Sequence, residues 1–282
     1  MVAGYPKSGN TWLGQTFQVL GKMTNPEFSS AYDIYDIMRD GLPMQMHPAI
    51  RSEGERCVVI KTHSWKPYRG WPHREWISPV AVIRVTRNPL DVLLSYLNYS
   101  RWEIAQETEN GTRPIRSKKW GYFFCIFLGL REIPNSQAWI NCDLDRMKEL
   151  GLLRRAVRQW VRRGLSIPTI DAIASSWSNN LLSWEGAPIS GLVVRYEDMI
   201  ADLPREGRRL ALFLEVEEPL LLEAFRRQSA STGKDPLFFN QMNAYYGLQM
   251  VDRAELGELV NRYGSFISRC GYEDWLDRCL SC

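Results

Sequence analysis

The sequence predicts an α/β protein with a central parallel sheet flanked by helices. Three observations point there. Short β-type runs alternate with helical stretches along much of the chain. The chain has 282 residues, enough for one large domain or two small ones with a sizeable core. Hydrophobic residues make up 45% and charged residues 24%, the balance of an ordinary globular protein. Taken in order, Val2 to Tyr5 begins a buried strand, and Asn10 to Leu20 reads as the helix after it. Cys57-Val-Val-Ile-Lys61 is a second strand and Val80-Ala-Val-Ile-Arg-Val85 a third. Pro89 is well placed at the first turn of a helix running to about Tyr99. Gly191-Leu-Val-Val-Arg-Tyr196 is a fourth strand, with Glu197 and Asp198 just past its end. Helical segments follow near Leu203 to Leu214, Pro219 to Gln228 and Arg253 to Tyr263.

Between about Arg101 and Trp184 the alternation lapses. This stretch holds an aromatic segment, Trp120-Gly-Tyr-Phe-Phe, and a basic one beginning at Leu152. In the basic segment Leu153, Ala156, Val157, Trp160 and Val161 fall on one helical face and the arginines on the other. A solvated face is the plain reading, and contact with a membrane or an anionic acceptor is the sharper one. There is no internal repeat and no low-complexity tract. The expected organisation is one domain over residues 1–282, with a helical and loop insertion at about 101–184 shaping the acceptor site.

Lys plus Arg is 35 and Asp plus Glu is 32, a net charge of +3. That balance does not announce a nucleic-acid binder, so any anion preference must come from local clusters. Six cysteines are too sparse for a disulfide scaffold, and Cys279-x-x-Cys282 reads as a frayed, reduced terminus rather than a metal site. The most apolar run, Tyr122 to Leu130, is about half a transmembrane helix. The first residues do not read as a signal peptide, because loop chemistry begins at Gly4. A cytoplasmic location is expected, with an anchor ahead of so early a start left open. The triplets Asn98-Tyr-Ser and Asn110-Gly-Thr occur too often by chance to fix the compartment.

Gly4-Tyr-Pro-Lys-Ser-Gly-Asn-Thr11 sits between a strand and a helix, where backbone N–H groups and the helix dipole favour an anion. It has the outline of a Walker A loop, but Asn10 stands where a nucleotide kinase carries lysine, and Lys7 lies inside the loop. A tight turn would explain Gly4 and Pro6, but not Lys, Ser and Thr gathered at a helix start. Lys61-Thr62-His63 ends the second strand, and ligands of α/β sheets bind outside the carboxyl ends of strands. A neutral His63 there is a candidate general base and Lys61 a candidate charge stabiliser. Arg87-Asn88-Pro89 ends the third strand, and Ser95 lies on the helix it opens; both Arg87 and Ser95 could reach a phosphate, the arginine as a bidentate fork. Seen alone, Arg87 would read equally well as a surface ion pair.

These motifs, in this order, resemble the sulfotransferases that use 3′-phosphoadenosine 5′-phosphosulfate (PAPS). The resemblance also includes Arg195-Tyr-Glu-Asp-Met199 and spans about residues 2–100 and 175–214. It implies a three-layer, P-loop-like fold and transfer of a sulfuryl group to a hydroxyl, or an amine, of a small-molecule acceptor. By the resemblance Lys7, Ser8, Gly9, Asn10 and Thr11 would hold the 5′-phosphosulfate and Trp12 would stack on adenine. Arg87 and Ser95 would bind the 3′-phosphate, and Tyr196 would contact the base. His63 would deprotonate the acceptor, while Lys7 and Lys61 stabilise the transferring group and its leaving oxygen. Such transfer needs positioning, positive charge and a base, so no metal is expected; the product would be 3′,5′-adenosine bisphosphate.

One departure stands out. Many family members carry an arginine-lysine-glycine triplet near the carboxyl end that closes over the 3′-phosphate. The corresponding stretch, Phe238 to Tyr246, lacks it, and Lys234, Arg226 or Arg227 are candidate substitutes. The family's dimerisation motif is not visible either, so no oligomeric state is carried over. His47 and His73 have no motif around them. Trp65, Tyr68, Trp71 and Trp76 either line a partly apolar or aromatic acceptor pocket or pack locally. Two other readings remain: a P-loop small-molecule kinase using ATP and magnesium through Glu197 or Asp198, and a nucleotide-binding protein without catalysis. No nucleic-acid partner is expected.

Overall fold

The computed structural model describes residues 2–24, 32–33, 60–62, 82–170, 174–185, 191–231 and 245–281. Among the described residues five strands form one sheet: β1 (Val2–Ala3), β2 (Tyr32–Asp33), β3 (Ile60–Thr62), β4 (Val82–Thr86) and β5 (Gly191–Arg195). Their order is β2-β3-β1-β4-β5, and every neighbouring pair is parallel. The first helices are α1 (Asn10–Thr24), α2 (Pro89–Glu107), α3 (Lys118–Tyr122), α4 (Ser136–Ile140), α5 (Leu144–Glu149), α6 (Leu152–Arg162) and α7 (Trp177–Leu182). After β5 come α8 (Tyr196–Ala201), α9 (Leu203–Leu214), α10 (Glu218–Ser231), α11 (Tyr246–Met250), α12 (Arg253–Arg269) and α13 (Glu273–Ser281). A π-helical turn, Phe123–Phe127, continues α3. This is the α/β, P-loop-like arrangement that the sequence predicts.

The chain divides into two compact units, residues 1–87 with 180–234, and residues 88–179 with 235–282. The first holds the sheet. β4 is buried along most of its length, as a strand paired on both edges in a covered parallel sheet must be. On α1, Leu13, Phe17 and Leu20 recur at helical spacing and pack in one core with Ile83, Val85, Val194, Leu210 and Phe225. Ala3, Val82 and Trp184 form a smaller cluster. Asp202 starts α9 by accepting a hydrogen bond from the Arg205 N–H at 3.0 Å, with Leu203 and Pro204 in the first turn.

The second unit opens on α2, whose start is doubly specified. The Asn88 side chain accepts from the Asp91 N–H at 2.9 Å, and Pro89 supplies a first-turn residue that needs no donor. The helix then continues to Glu107, eight residues beyond the predicted end, because no glycine or proline interrupts it before Gly111. Trp120, Phe123, Phe124, Phe127 and Trp139 are buried together, with ring centroids 4.8 Å apart for Phe124 and Trp139. Edge-to-face pairs of this kind add about 1 kcal/mol each beyond their buried area. On α6 the predicted apolar face is buried, while Arg154 and Arg158 pair with Glu255 of α12 at 2.7 and 3.1 Å. Burial alone would push the Glu255 carboxyl up, but the Arg154 hydrogen bond and charge, with Arg158, hold it below its ordinary value. The expected frayed terminus is corrected at Cys279: its side chain is buried on α13, packed there because Trp275 and Cys279 lie one turn apart on its inner face.

Candidate functional site

The register of the sheet aligns the ends of its strands. Ala3 stands beside Thr62 and beside Arg84, and Thr86 stands beside Arg195. The β1–α1 loop therefore starts level with the residue before His63, and Arg87 and Tyr196 leave the sheet side by side. These are the carboxyl ends of the strands, where parallel sheets bind ligands.

Backbone and side-chain hydrogen bonds hold the loop itself. The Ser8 N–H donates to the Tyr5 carbonyl at 3.2 Å, closing a turn. The Asn10 amide, almost wholly buried, donates to the Gly4 carbonyl at 2.8 Å and ties the two ends of the loop together. Arg87 Nη1 donates to the Lys7 carbonyl at 3.4 Å. Two glycines are required by geometry. A Cβ on Gly4 would lie 2.3 Å from the Val85 carbonyl oxygen, and one on Gly9 (φ +105°) would lie 2.9 Å from Tyr196 Cδ2. Lys7 itself has a left-handed backbone, φ 69°.

Tyr196 braces this arrangement. Its ring lies under Gly9, the Arg87 guanidinium sits 4.2 Å from the ring centroid, and Trp12 meets it edge-on with centroids 6.3 Å apart. Trp12 also leans on Phe225 at 5.2 Å, so its half-buried ring is part of the wall of the core. Arg87 is 4% exposed, so its charge sits in a buried setting where a paired anion gains most.

The Ser8 hydroxyl is the informative atom. Ser8 is wholly buried, and its Oγ has no hydrogen-bond partner among the described residues. Leaving such a group unsatisfied costs about 1–3 kcal/mol. It lies in the loop that enters a 15-residue helix with no acidic residue in its first turn, at the positive end of the helix dipole. A donor hydroxyl, a buried guanidinium and the start of a helix fit an oxyanion of the phosphate or sulfate type.

Of the other predicted site residues, Thr11 is half-buried in the first turn of α1, and Lys61 lies on β3 beside Val2. Ser95 is half-buried on α2, in the second unit. His63, His47, His73, the aromatics from Trp65 to Trp76, Lys234 and the stretch 238–244 lie outside the described residues. Arg226 and Arg227 are tied to Glu223, at 2.7 and 2.6 Å, on the exposed side of α10. Glu197 is buried, and Asp198 stands 4.0 Å from Arg195.

The family model of the sulfotransferase domain matches residues 1–279. The chain belongs to the sulfotransferase family. Its members catalyse sulfuryl transfer, a transferase activity on small-molecule acceptors. Solved structures match this sulfotransferase as well. The crystal structure of mouse sulfotransferase SULT7A1 complexed with PAP agrees with a TM-score of 0.50 at 14% identity, over 99% of this chain and 87% of that one. At that identity the likeness shows a shared fold. No curated protein matches the chain. Among the described residues no group of acidic, histidine or cysteine side chains could hold a metal ion, and no helix is long and apolar enough to cross a membrane.

Sequence reasoning missed two contributors. Tyr196 was expected at the base, and its contacts with Gly9 and Arg87 were not; its place directly after β5, level with Arg87, was the available signal. Asp91 was not singled out at all. Its buried carboxylate accepts from Asn88 Nδ2 at 2.8 Å and from the backbone N–H groups of Tyr245 and Gly247 at 3.0 and 2.7 Å. The spacing Asn88-Pro-Leu-Asp91 is a helix-start signature that could have marked it.

Proposed function

We propose that this sulfotransferase uses PAPS and passes its sulfuryl group to a hydroxyl of a partly apolar or aromatic small molecule. The observation that carries the reading is the buried, unsatisfied Ser8 hydroxyl in a loop braced by Arg87 and Tyr196. Bound PAPS supplies an activated sulfuryl group and leaves as 3′,5′-adenosine bisphosphate. Lys7, Ser8, Gly9, Asn10 and Thr11 form the cradle of the 5′-phosphosulfate. In that cradle Ser8 donates its hydroxyl, while Asn10 acts by fixing the loop's shape through Gly4. Arg87 takes the 3′-phosphate, the role the resemblance also gives Ser95. Trp12 and Tyr196 offer ring surface for the adenine. His63 follows β3 directly and takes the proton of the acceptor hydroxyl, so that the oxygen attacks as it loses that proton. Lys7 and Lys61 supply positive charge for the transferring group and its leaving oxygen. The whole chain works as one sulfotransferase domain in this proposal, with residues 101–184 shaping the acceptor site.

Calorimetric titration with 3′,5′-adenosine bisphosphate, in the presence of a chelator, tests the reading. Binding without magnesium, and tighter than that of ATP, is expected because lysine, arginine and the helix start already offset the ligand charge. A strict magnesium requirement, or preference for ATP, would sink the reading in favour of a kinase.

A further inference from the structure

The second unit carries an exposed surface built from none of the residues that form the proposed nucleotide cradle. Tyr122 and Ile126 follow one another on successive turns where α3 passes into the π-helical turn, with 44% and 51% of their surface exposed. Ile133 is 41% exposed, and its Cδ1 lies 3.5 Å from the position of a Cβ on Gly121. Three large apolar side chains are thus exposed close together, whereas monomeric proteins usually expose such residues singly.

The border of this patch is basic. From Leu152 to Gly164 the chain has five arginines and no acidic residue. Glu255 takes up Arg154 and Arg158 on one side of α6. Arg155 and Arg162, seven residues apart and hence on one face, have no acidic partner among the described residues, and neither do Arg163 and the exposed Lys118. Arg155 Nη1 donates to the Gly129 carbonyl at 3.4 Å, just past the π-helical turn. Arg163 Nη2 donates to the Tyr122 hydroxyl at 2.5 Å, with its guanidinium 5.5 Å from the ring centroid. The aromatic tip and the cationic head therefore stand at one level beside the apolar side chains.

We propose that this face docks on an anionic lipid bilayer. Tyr122, Ile126 and Ile133 enter the headgroup region, and Arg155, Arg162, Arg163 and Lys118 meet the acidic headgroups. The level shared by the Tyr122 hydroxyl and Arg163 favours lipid over an acidic protein. Tyrosine rings settle at headgroup depth, and arginine stems lie along apolar surface while their heads stay in the polar layer. The attachment is peripheral, by surface contact and charge. It is independent of the reading of the nucleotide site.

Co-sedimentation of the full chain with phosphatidylcholine vesicles, with and without about 30% phosphatidylserine, tests it. Binding is expected only to the anionic vesicles, and to weaken with salt. Each cation near such a surface is worth about fivefold in partitioning, so replacing both Arg155 and Arg163 by alanine should cost about 25-fold. Ile126→Ser should cost about fivefold by removing half-exposed apolar area. Both variants should keep the wild-type melting temperature and bisphosphate affinity, so a loss of vesicle binding cannot reflect unfolding. Equal partitioning of wild type and the double arginine variant overturns the proposal. So does failure to bind anionic vesicles, or binding of soluble polyglutamate with the wild-type affinity retained in Ile126→Ser, which would mark an acidic protein partner.

Discussion

Replacing Arg87 separates bracing of the loop from recognition of the nucleotide. Arg87 is buried, its guanidinium lies 4.2 Å from the Tyr196 ring centroid, and its bond to the Lys7 carbonyl is long at 3.4 Å. A desolvated cation–π contact is worth about 2 kcal/mol, and so long a hydrogen bond about 0.5 kcal/mol. Arg87→Ala should therefore lower stability by about 2–3 kcal/mol, a fall of roughly 4–10 °C in melting temperature for a chain of this size. A direct contact with the 3′-phosphate would add a different signature. Charge-assisted bonds are worth about 1.5–3 kcal/mol, about tenfold to 150-fold in affinity. Calorimetry with two ligands reads the difference. Affinity for 3′,5′-adenosine bisphosphate should fall at least tenfold, while affinity for adenosine 5′-monophosphate, which lacks the 3′-phosphate, should fall much less. Arg87→Lys keeps the charge but not the planar stack on Tyr196, so it should recover part of the bisphosphate affinity with little recovered stability. Equal losses for the two ligands in Arg87→Ala would refute the 3′-phosphate assignment and leave Arg87 as a brace of the loop.

Three further outcomes are expected. His63→Ala should cut kcat by about 10²–10⁴-fold, the usual contribution of a positioned base, with bisphosphate affinity nearly unchanged; wild-type turnover in a folded variant would remove His63 from the mechanism. Asp91→Ala leaves two backbone N–H groups, of half-buried Tyr245 and buried Gly247, without their acceptor. At about 1–3 kcal/mol each the cost should reach about 3–5 kcal/mol in urea unfolding, and a loss below about 1 kcal/mol would show that the anchor is dispensable. Hydrogen bonds from Arg226 and then Arg227 hold the Glu223 carboxyl at about 2, below its ordinary 4.5. A depressed carboxylate stabilises the fold above pH 4.5 and loses that contribution as pH falls towards 2, so the melting temperature of wild type should fall more steeply across that window than that of Glu223→Gln.

What could be read from the sequence follows from how local each signal is. The start of α2 was legible because Asn88 and Pro89 specify it within two residues, and α6 because its apolar period of 3.6 survives unbroken. The end of α2 was not, since Tyr99 to Glu107 mixes polar and aromatic residues whose burial depends on neighbours far along the chain. β2 is two residues long, too short for any period to show. The last helix is marked locally by Glu273 and Asp274 at its start and by the Trp275–Cys279 spacing, but at nine residues its apolar period is short. At the site, the loop and Arg87 were legible as motifs. The way Tyr196 joins them was not, because it depends on a strand register between residues more than a hundred positions apart.

The loop also explains why this sequence departs from a nucleotide-kinase loop at Asn10. The position is almost wholly buried, and its side chain reaches back to the Gly4 carbonyl. A lysine there would bury an ammonium group against one carbonyl oxygen, at a cost of several kcal/mol unless an anion were always present. Asparagine closes the same loop without charge, so the shape of the cradle does not depend on the ligand. The cation has moved to Lys7, whose left-handed backbone turns its carbonyl to Arg87 while its side chain remains half exposed. That φ costs an ordinary residue about 1–2 kcal/mol relative to glycine, which would fit the turn without strain. A lysine kept at such a position points to its charge rather than its conformation as the reason for its presence. A loop whose shape comes from Asn10 and whose charge comes from Lys7 can receive a nucleotide without a metal to offset it, as the proposed sulfuryl transfer requires.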